Sequence, residues 1–428
     1  MDKETIIVVG AGAAGLMAAR ELSKAGQKVA IVEARDRIGG RIMPLNQEDF
    51  GYPAQGGAEW VHGEAPITKA LIKEAGLTLI REGGEIWSIR NGEMSLHESF
   101  IQDNENLKNK LEELKEDISV LDFLEKNFTE ESDNDFKNSI LKVVEGYDAA
   151  DPKLISTFTL RDEWLGKREM MELDNDHRIK EGYGALINFL EKECIKNGVK
   201  IHFNSYVDKI EAEGSFVSVY TSKGETFNVE KVVITVPLPI MKDIKLSKEL
   251  KHKQEIVNNI GYGNAIKVLM KFKTRWWENA TEKDLSKMAF IICNEEFLTW
   301  WTQYPQINTV LTGWMAGPVA LKYKNYAGQE IFNLAVDTLT NIFKIKKEVI
   351  LDDLVTYKVV NWPGDPFTKG AYSYTTVDTK DSYKELAKPY RDQVFFAGEA
   401  LYSGEGTATV EGALGSGLET ARKILKIS

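Results

Sequence analysis

The stretch TIIVVGAGAAGLMAARELSKAGQKVAIVEA (residues 5–34) restricts the fold more than any other part of the chain. A short apolar run, TIIVV, leads without a spacer into G-x-G-x-x-G at Gly10, Gly12 and Gly15. A helical pattern follows, then a second apolar run, QKVAIVEA, that ends in Glu33. This is β-α-β order, the opening of a dinucleotide-binding sheet. Gly10 permits the tight turn, Gly12 lets the backbone approach a pyrophosphate, and Gly15 lets the helix pack closely on the strand. The helix N-terminus offers free N–H groups to phosphate. Glu33, about twenty residues further on, stands where a carboxylate accepts hydrogen bonds from ribose hydroxyls.

At 428 residues the chain is too long for one simple core, so two intertwined domains are expected. No apolar run approaches a membrane span, and the start MDKETIIVVG leads into a strand with no room for a leader, so no membrane association is expected. Two cysteines, Cys194 and Cys293, are too few and too far apart for a zinc cluster or disulfide framework. A reduced, cytoplasmic location fits that usage. The net charge of −11 argues against a nucleic-acid partner and is compatible both with steering a cationic ligand and with plain solubility. The inventory holds no H-E-x-x-H, C-x-x-C, G-x-S-x-G or Walker lysine, and no metal site is expected.

Residues 104–145 are helical in period and rich in Glu, Lys, Leu and Asn, and read as an inserted helical lobe. EGYGALINFLEKECIKNG is another amphipathic helix, and residues 199–237 read as a β-meander with Glu-Gly and Lys-Gly turns. Strands rich in Trp and Phe are expected between residues 264 and 315, then a helix near 327–343. The chain closes with strand, glycine-rich loop and helix in QVFFAGEALYSGEGTATVEGALGSGLETARKIL. Nucleotide-binding signals at both ends imply discontinuous domains. The expected fold is α/β (α+β). A Rossmann-type cofactor domain would be built from 1–63, 180–240 and 390–428. A substrate domain, a sheet flanked by helices, would take 64–179 and 241–389.

The glycine motif alone does not choose between NAD and FAD. EARDRIGGRI follows it, with Gly39 and Gly40 allowing close backbone approach and Arg41 offering a charge-assisted partner for phosphate. Together with GGAEWVHG (56–63), VVITVPLPIM (232–241) and FFAGEA…GTATVEGALGSGLETA (395–421), the chain resembles the flavin-containing amine oxidase superfamily. That superfamily includes monoamine oxidases, polyamine oxidases and lysine-specific histone demethylases.

The resemblance implies an FAD cofactor, with Glu33 on the adenosine ribose and Arg41 on the pyrophosphate. Gly57, Ala58, Glu59 and Trp60 would pass beside the isoalloxazine, and Val207 would meet the adenine through its backbone. Glu399 would bind near the ribityl–pyrophosphate region, Trp362 near the ring, and Thr409 and Val410 against the flavin. The implied cofactor set also includes Ala14, Ala34, Arg35, Gly40, Gly398 and Ala413. Where monoamine oxidases keep the cysteine that tethers flavin, this sequence has Ala371, so FAD is expected to be non-covalent. Their second pocket tyrosine is matched by Thr409, which leaves the aromatic sandwich incomplete.

GYGNAIKVLMKF (261–272) reads as turn and strand, with Ile266, Val268, Met270 and Phe272 on one buried face. Alternation alone turns Lys267 to water. The resemblance of GNAIKV to the segment holding the family's lysine turns it instead into a cavity. There an ammonium would stand near flavin N5 and stabilise negative charge as electrons pass to O2. By the same resemblance Tyr372, in NWPGDPFTKGAYSY, would wall the reactive face, and His62 would contact substrate nitrogen or water. A histidine satisfied by backbone groups is the other reading of His62. Glu59, Glu64, Glu145 and Asp148 are candidates for a distal ammonium, although spacing alone makes each a solvated carboxylate. Trp314 and the run TWW (299–301) read as core first and pocket lining second. His97, His177, His202 and His252 read as scattered surface or loop residues, and Lys271 as solvent-facing.

The expected reaction is oxidation of a primary or secondary amine to imine and aldehyde, with O2 reduced to H2O2. Its partners would be a small-molecule amine and O2, in a monomer or homodimer. The rivals at this point are an L-amino-acid oxidase on the same fold, a related desaturase or porphyrinogen-type oxidase, which the GNAIKV lysine disfavours, and a non-catalytic flavin-binding redox or scaffold protein.

Overall fold

The computed structural model describes residues 5–90, 92–97, 104–165 and 176–426. Residues 1–4, on which the expectation of a leaderless start partly rests, lie outside these. The first layer is a parallel five-stranded sheet in the spatial order Val394–Phe396, Lys231–Ile234, Ile6–Val9, Val29–Val32 and Lys200–His202. Four of its strands are short, mainly apolar runs covered on both faces, whereas the edge strand Lys200–His202 is exposed to half-buried. Ile6 and Val8 pack with the helices Ala13–Lys24, Tyr183–Lys196 and Val410–Leu425. Ile7 and Val9 pack with the antiparallel sheet beyond them.

That second sheet, Thr226–Val229, Phe216–Thr221, Val207–Glu213 and Lys245–Leu246, corrects part of the expected meander. The runs 200–202 and 231–234 belong to the parallel sheet instead. The run 231–234 carries no period that separates the two settings, and the half-exposed run 200–202 is too short to show one. His202 therefore ends a strand, where its carbonyl accepts from Glu33 N–H at 2.9 Å, and His177 opens another, so neither is a loop residue.

Two close approaches fix the turn after the first strand. Gly10 has φ +106°, and a Cβ at Gly15 would lie 1.9 Å from Gly10 O. At the far side a Cβ at Gly417 would lie 2.3 Å from Ala14 O, so the opening and closing helices meet backbone to backbone.

The large sheet has seven strands, ordered Leu354–Asn361, Ala265–Phe272, Val310–Ala316, Thr299–Trp301, Met288–Ile292, Glu85–Arg90 and Glu93–Leu96. In Ala265–Phe272 the structure corrects the expected one-sided burial: every residue except Lys271 is buried. Ile266, Val268, Met270 and Phe272 share a core with Ile331, Ala335 and Leu339 of the helix Gly328–Phe343. The opposite face is covered as well, with Leu269 packed on Phe50, Ala54 and Val310. Lys271 lies at the rim and donates to Asp49 O at 2.9 Å.

The helical lobe forms as Glu105–Glu113, Val120–Asn127, Asn134–Gly146 and Thr157–Trp164. Asn104 and Ser119 cap the first two by accepting from Leu107 N–H at 2.9 Å and Asp122 N–H at 3.1 Å. Leu107, Leu111, Val120, Phe123, Leu124, Ile140 and Val144, at helical spacing, make its core. The helix Asn134–Gly146 ends at the cavity, where the carbonyls of Gly146 and Tyr147 accept from side chains outside the lobe. Trp314 Nε1 donates to the first at 2.8 Å and Tyr372 Oη to the second at 2.6 Å. Two aromatics from the large-sheet side thereby dock the lobe.

Candidate active site

One continuous cavity of ≈ 1570 Å³ runs from the glycine loop to the aromatic wall between the large sheet and the lobe. Pockets for one small ligand run to about 1,000 Å³, so this one has room for a dinucleotide and a second molecule. Of the residues expected to hold a cofactor, all line it apart from Gly15, whose part is helix packing. Lys267, Tyr372 and His62 line it too.

At the glycine end, helix Ala13–Lys24 starts without a side-chain cap and without an acidic residue in its first turn. Its leading N–H groups are therefore open to an anion. Glu33 accepts from Ala11 N–H at 2.7 Å and from Arg35 N–H at 2.9 Å, one donor on each oxygen. Lone pairs remain on both for hydroxyl donors. The Arg35 guanidinium is engaged by Asp365 at 2.9 Å and Thr368 at 2.9 Å, so its part here is to hold the loop and, through its N–H, Glu33.

Arg41 and Glu399, expected at separate points along the cofactor, form an ion pair at 2.9 Å. Arg41 also donates to Ala371 O at 2.6 Å, and Ser373 Oγ donates to Glu399 at 2.7 Å. Arg37, which no motif singled out, ties the loop by donating to the carbonyls of Ile38, Gly40 and Ile42. Trp362 donates to Gly56 O at 3.2 Å and lies against Gly57, while Thr409 caps the closing helix by accepting from Gly412 N–H at 3.3 Å.

At the other end Lys267 is 1% exposed, and its ammonium does not stand alone. Nζ donates to Glu59 Oε2 at 2.6 Å and to Gly57 O at 3.3 Å. It lies 5.2 Å from the centre of the Trp301 ring and 6.0 Å from that of Trp60. Glu59 is thus no solvated carboxylate. Its second oxygen accepts from Arg178 Nε at 2.9 Å and from Gln303 Nε2 at 3.1 Å. Arg178 in turn donates to Glu82 at 2.6 Å.

Burial pushes the Glu59 carboxyl up, but Lys267 and Arg178 beside it prevail and hold it down at about 2. Burial likewise draws the Lys267 ammonium below its usual range, against the pull of Glu59. A buried carboxylate between two buried cations keeps this pair ionic.

His62 Nδ1 lies 2.9 Å from Asp176 Oδ2, which fixes the imidazole by a carboxylate instead of backbone groups. Burial, with Asp148 next, raises the Tyr372 phenol far above its ordinary range, so it stays a neutral donor to Tyr147 O. Trp301 and Trp314 do line the cavity, Trp301 edge-on to Trp60 with ring centres 4.9 Å apart, whereas Trp300 is core. Glu64 and Asp148 line it as well; Glu145 does not, and pairs with Lys142 at 3.4 Å.

Sequence reasoning missed Asp176, Arg178, Glu82 and Gln303, which carry no motif and reach the site from segments distant in sequence. No group of three or more His, Cys, Asp or Glu side chains suited to a metal occurs among the described residues, and no described helix is long and apolar enough to cross a membrane.

Comparison with known proteins places this geometry. Polyamine oxidase 2 of Arabidopsis thaliana is 30% identical over 97% of this chain and 87% of its own length. Lysine-specific histone demethylase 2 of Homo sapiens is 28% identical over 98% of the chain, which spans only 53% of that longer protein. Among solved structures, putrescine oxidase bound to putrescine superposes with a TM-score of 0.80 at 20% identity, covering 99% of each chain. Cyclohexylamine oxidase from Brevibacterium oxydans gives 0.79 at 17% identity, again over 99% of each. These two speak for the fold. The family model described as flavin containing amine oxidoreductase matches residues 13–425, and the chain belongs to that family.

Proposed function

We propose that the protein oxidises a primary or secondary amine, a polyamine or monoamine, to the imine and aldehyde, with O2 reduced to H2O2. The observation that carries this is the single cavity joining an anion-ready glycine loop to an aromatic wall, with a buried, ion-paired Lys267 in its lining. The residues fit FAD. Gly12 and Gly398 have open space where a Cβ would stand, Glu33 keeps lone pairs for ribose hydroxyls, and the uncapped helix N-terminus suits a pyrophosphate. Bound there, FAD would supply the acceptor for a hydride from the amine α-carbon.

The chain's own residues orient and exclude water. Trp60, Trp301, Trp314 and Tyr372 give the reactive end apolar walls that favour a neutral amine. His62, held by Asp176, offers its other ring nitrogen to a substrate nitrogen or a water. Asp148 and Glu64 give the same space acidic character, which suits a second ammonium. Resemblance to a polyamine oxidase and to putrescine oxidase supports this reading. An amino-acid substrate would need an arginine for its carboxylate; of the three arginines that line the cavity, Arg35, Arg41 and Arg90, the first two are tied to Asp365 and Glu399.

The test is anaerobic mixing of the purified yellow protein with putrescine, spermidine, phenylethylamine and a set of L-amino acids. Bleaching by an amine and not by amino acids is expected; bleaching only by amino acids overturns the reading. With Ala371 in place of a tethering cysteine, acid precipitation is expected to release essentially all flavin into the supernatant. A yellow pellet would contradict non-covalent binding.

A further inference from the structure

Glu82 follows the short strand Leu79–Arg81, and its side chain is 1% exposed. Oε2 accepts from Arg178 Nη1 at 2.6 Å, while Oε1 has no hydrogen-bond partner among the described residues. Glu82 lines a second, separate cavity of ≈ 20 Å³, together with Tyr52, Gln55, Glu59, Arg178 and Gln303. Gln55 Oε1 and the Tyr52 hydroxyl are unpartnered too. A water needs about 10–15 Å³ and two to four polar partners. The cavity offers both.

The charged and titratable groups around Glu82 are Arg178 of the neighbouring strand His177–Ile179, Lys180 just after it, Asp176 just before it, Glu59 across the arginine, and Tyr52. Lys267 lies one step further, through Glu59, and His62 through Asp176. Burial pushes the Glu82 carboxyl up, with Arg178 opposing and Glu59 and Asp176 adding to the rise, to about 7. Two cations and one fixed anion therefore share the network with one carboxyl that can exchange its proton. The network of Lys267, Glu59, Arg178 and Glu82 is neutral when Glu82 is ionised, and carries one positive charge when it is protonated.

We propose that Glu82 is a positioning residue that takes up a proton from solvent when the cofactor is reduced and releases it on reoxidation, setting the charge that Lys267 and its partners present to the cavity. This rests on the amine-oxidising reading for the presence of the cofactor. Hydride from a neutral amine leaves an iminium cation and one added negative charge on the reduced ring. Reduction of O2 to H2O2 then removes two electrons and the transferred proton, and needs one proton more. The proton held by Glu82 closes that balance. The added negative charge in the cavity favours the protonated form of a nearby carboxyl, so uptake accompanies reduction. By linkage, the midpoint potential falls more steeply with pH through the window between Glu82's two affinities.

The experiment is spectroelectrochemistry of the purified holoprotein from acid to alkaline side of neutrality, wild type against Glu82→Gln. The wild type is expected to show the extra slope around neutral pH. Glu82→Gln is expected to lose it and to keep the higher potential on the alkaline side, because its network stays positive. Superposable curves overturn the proposal. Should the variant not fold, reduced-minus-oxidised infrared difference spectra of the wild type at neutral pH decide. A gained carboxylic-acid band supports Glu82 and its absence sinks the idea. Because reduction is electrochemical, a protein with the extra slope that no amine bleaches keeps the Glu82 proposal and loses the substrate reading. One bleached by amines without the slope does the reverse.

Discussion

A Lys267→Met holoprotein is expected to keep its flavin, and its reduced form to be reoxidised by O2 about 10²–10³-fold more slowly, the range seen when one preorganised charge-stabilising group is removed. Methionine is close in length to the lysine stem, and the strand that carries it is pinned on both edges, by Trp314 opposite on one side and Val360 on the other. Glu59 retains Arg178 at 2.9 Å and Gln303 at 3.1 Å, so the wall behind position 267 has partners left to hold it. What disappears is a buried positive charge in the cavity lining. Stopped-flow traces of the reductive and oxidative half-reactions separate the effects. Unaltered rates in both would remove Lys267 from the chemistry and leave it a structural ion pair.

The parts of the fold legible in sequence were those in which local pattern and tertiary setting agree. The turn at Gly10 and Gly15 demands glycine because a Cβ at Gly15 would strike a carbonyl, and that demand is written at a fixed spacing. The lobe helices show their caps and apolar stripes openly. The runs 200–202 and 231–234 were misread because a run of three or four residues looks alike in a parallel sheet and in a meander. Lys267 was recoverable only through the resemblance: alternation turned it to water, while in the structure the whole strand is covered. Its partner was harder to see. Resemblance put Glu59 beside the isoalloxazine, but spacing alone made its carboxylate one solvated group among several, whereas Arg178, Lys267 and Gln303 converge on it from positions 119, 208 and 244 residues away. A lone charge in sequence gives no sign of the opposite charge that will bury it.

That convergence sets the stability expected of its variants. Glu59→Gln removes the negative charge between the Lys267 ammonium and the Arg178 guanidinium, and its single amide oxygen can accept from only one of them; Lys267 otherwise has Gly57 O at 3.3 Å and two indole faces. An uncompensated buried charge costs about 3–5 kcal/mol. Lys267→Met is milder because Glu59 keeps Arg178 and Gln303, and a cost of about 1–3 kcal/mol is expected. In the double variant no unpaired ammonium remains, so the two losses should fall short of their sum by about 2–3 kcal/mol. Thermal midpoints of the holoproteins run in parallel should rank wild type first, then Lys267→Met, with the double variant no lower than Glu59→Gln. Strict additivity would mean that the two residues do not stabilise each other. Acid supplies an independent check. The Glu59 carboxyl is held at about 2, below its unfolded value of 4.5. Its contribution is therefore complete above the unfolded value and drains away as pH falls toward the folded one. The gap in thermal midpoint between wild type and Glu59→Gln should accordingly narrow on acidification below about pH 4, whereas a gap independent of pH would point to lost packing in place of lost charge.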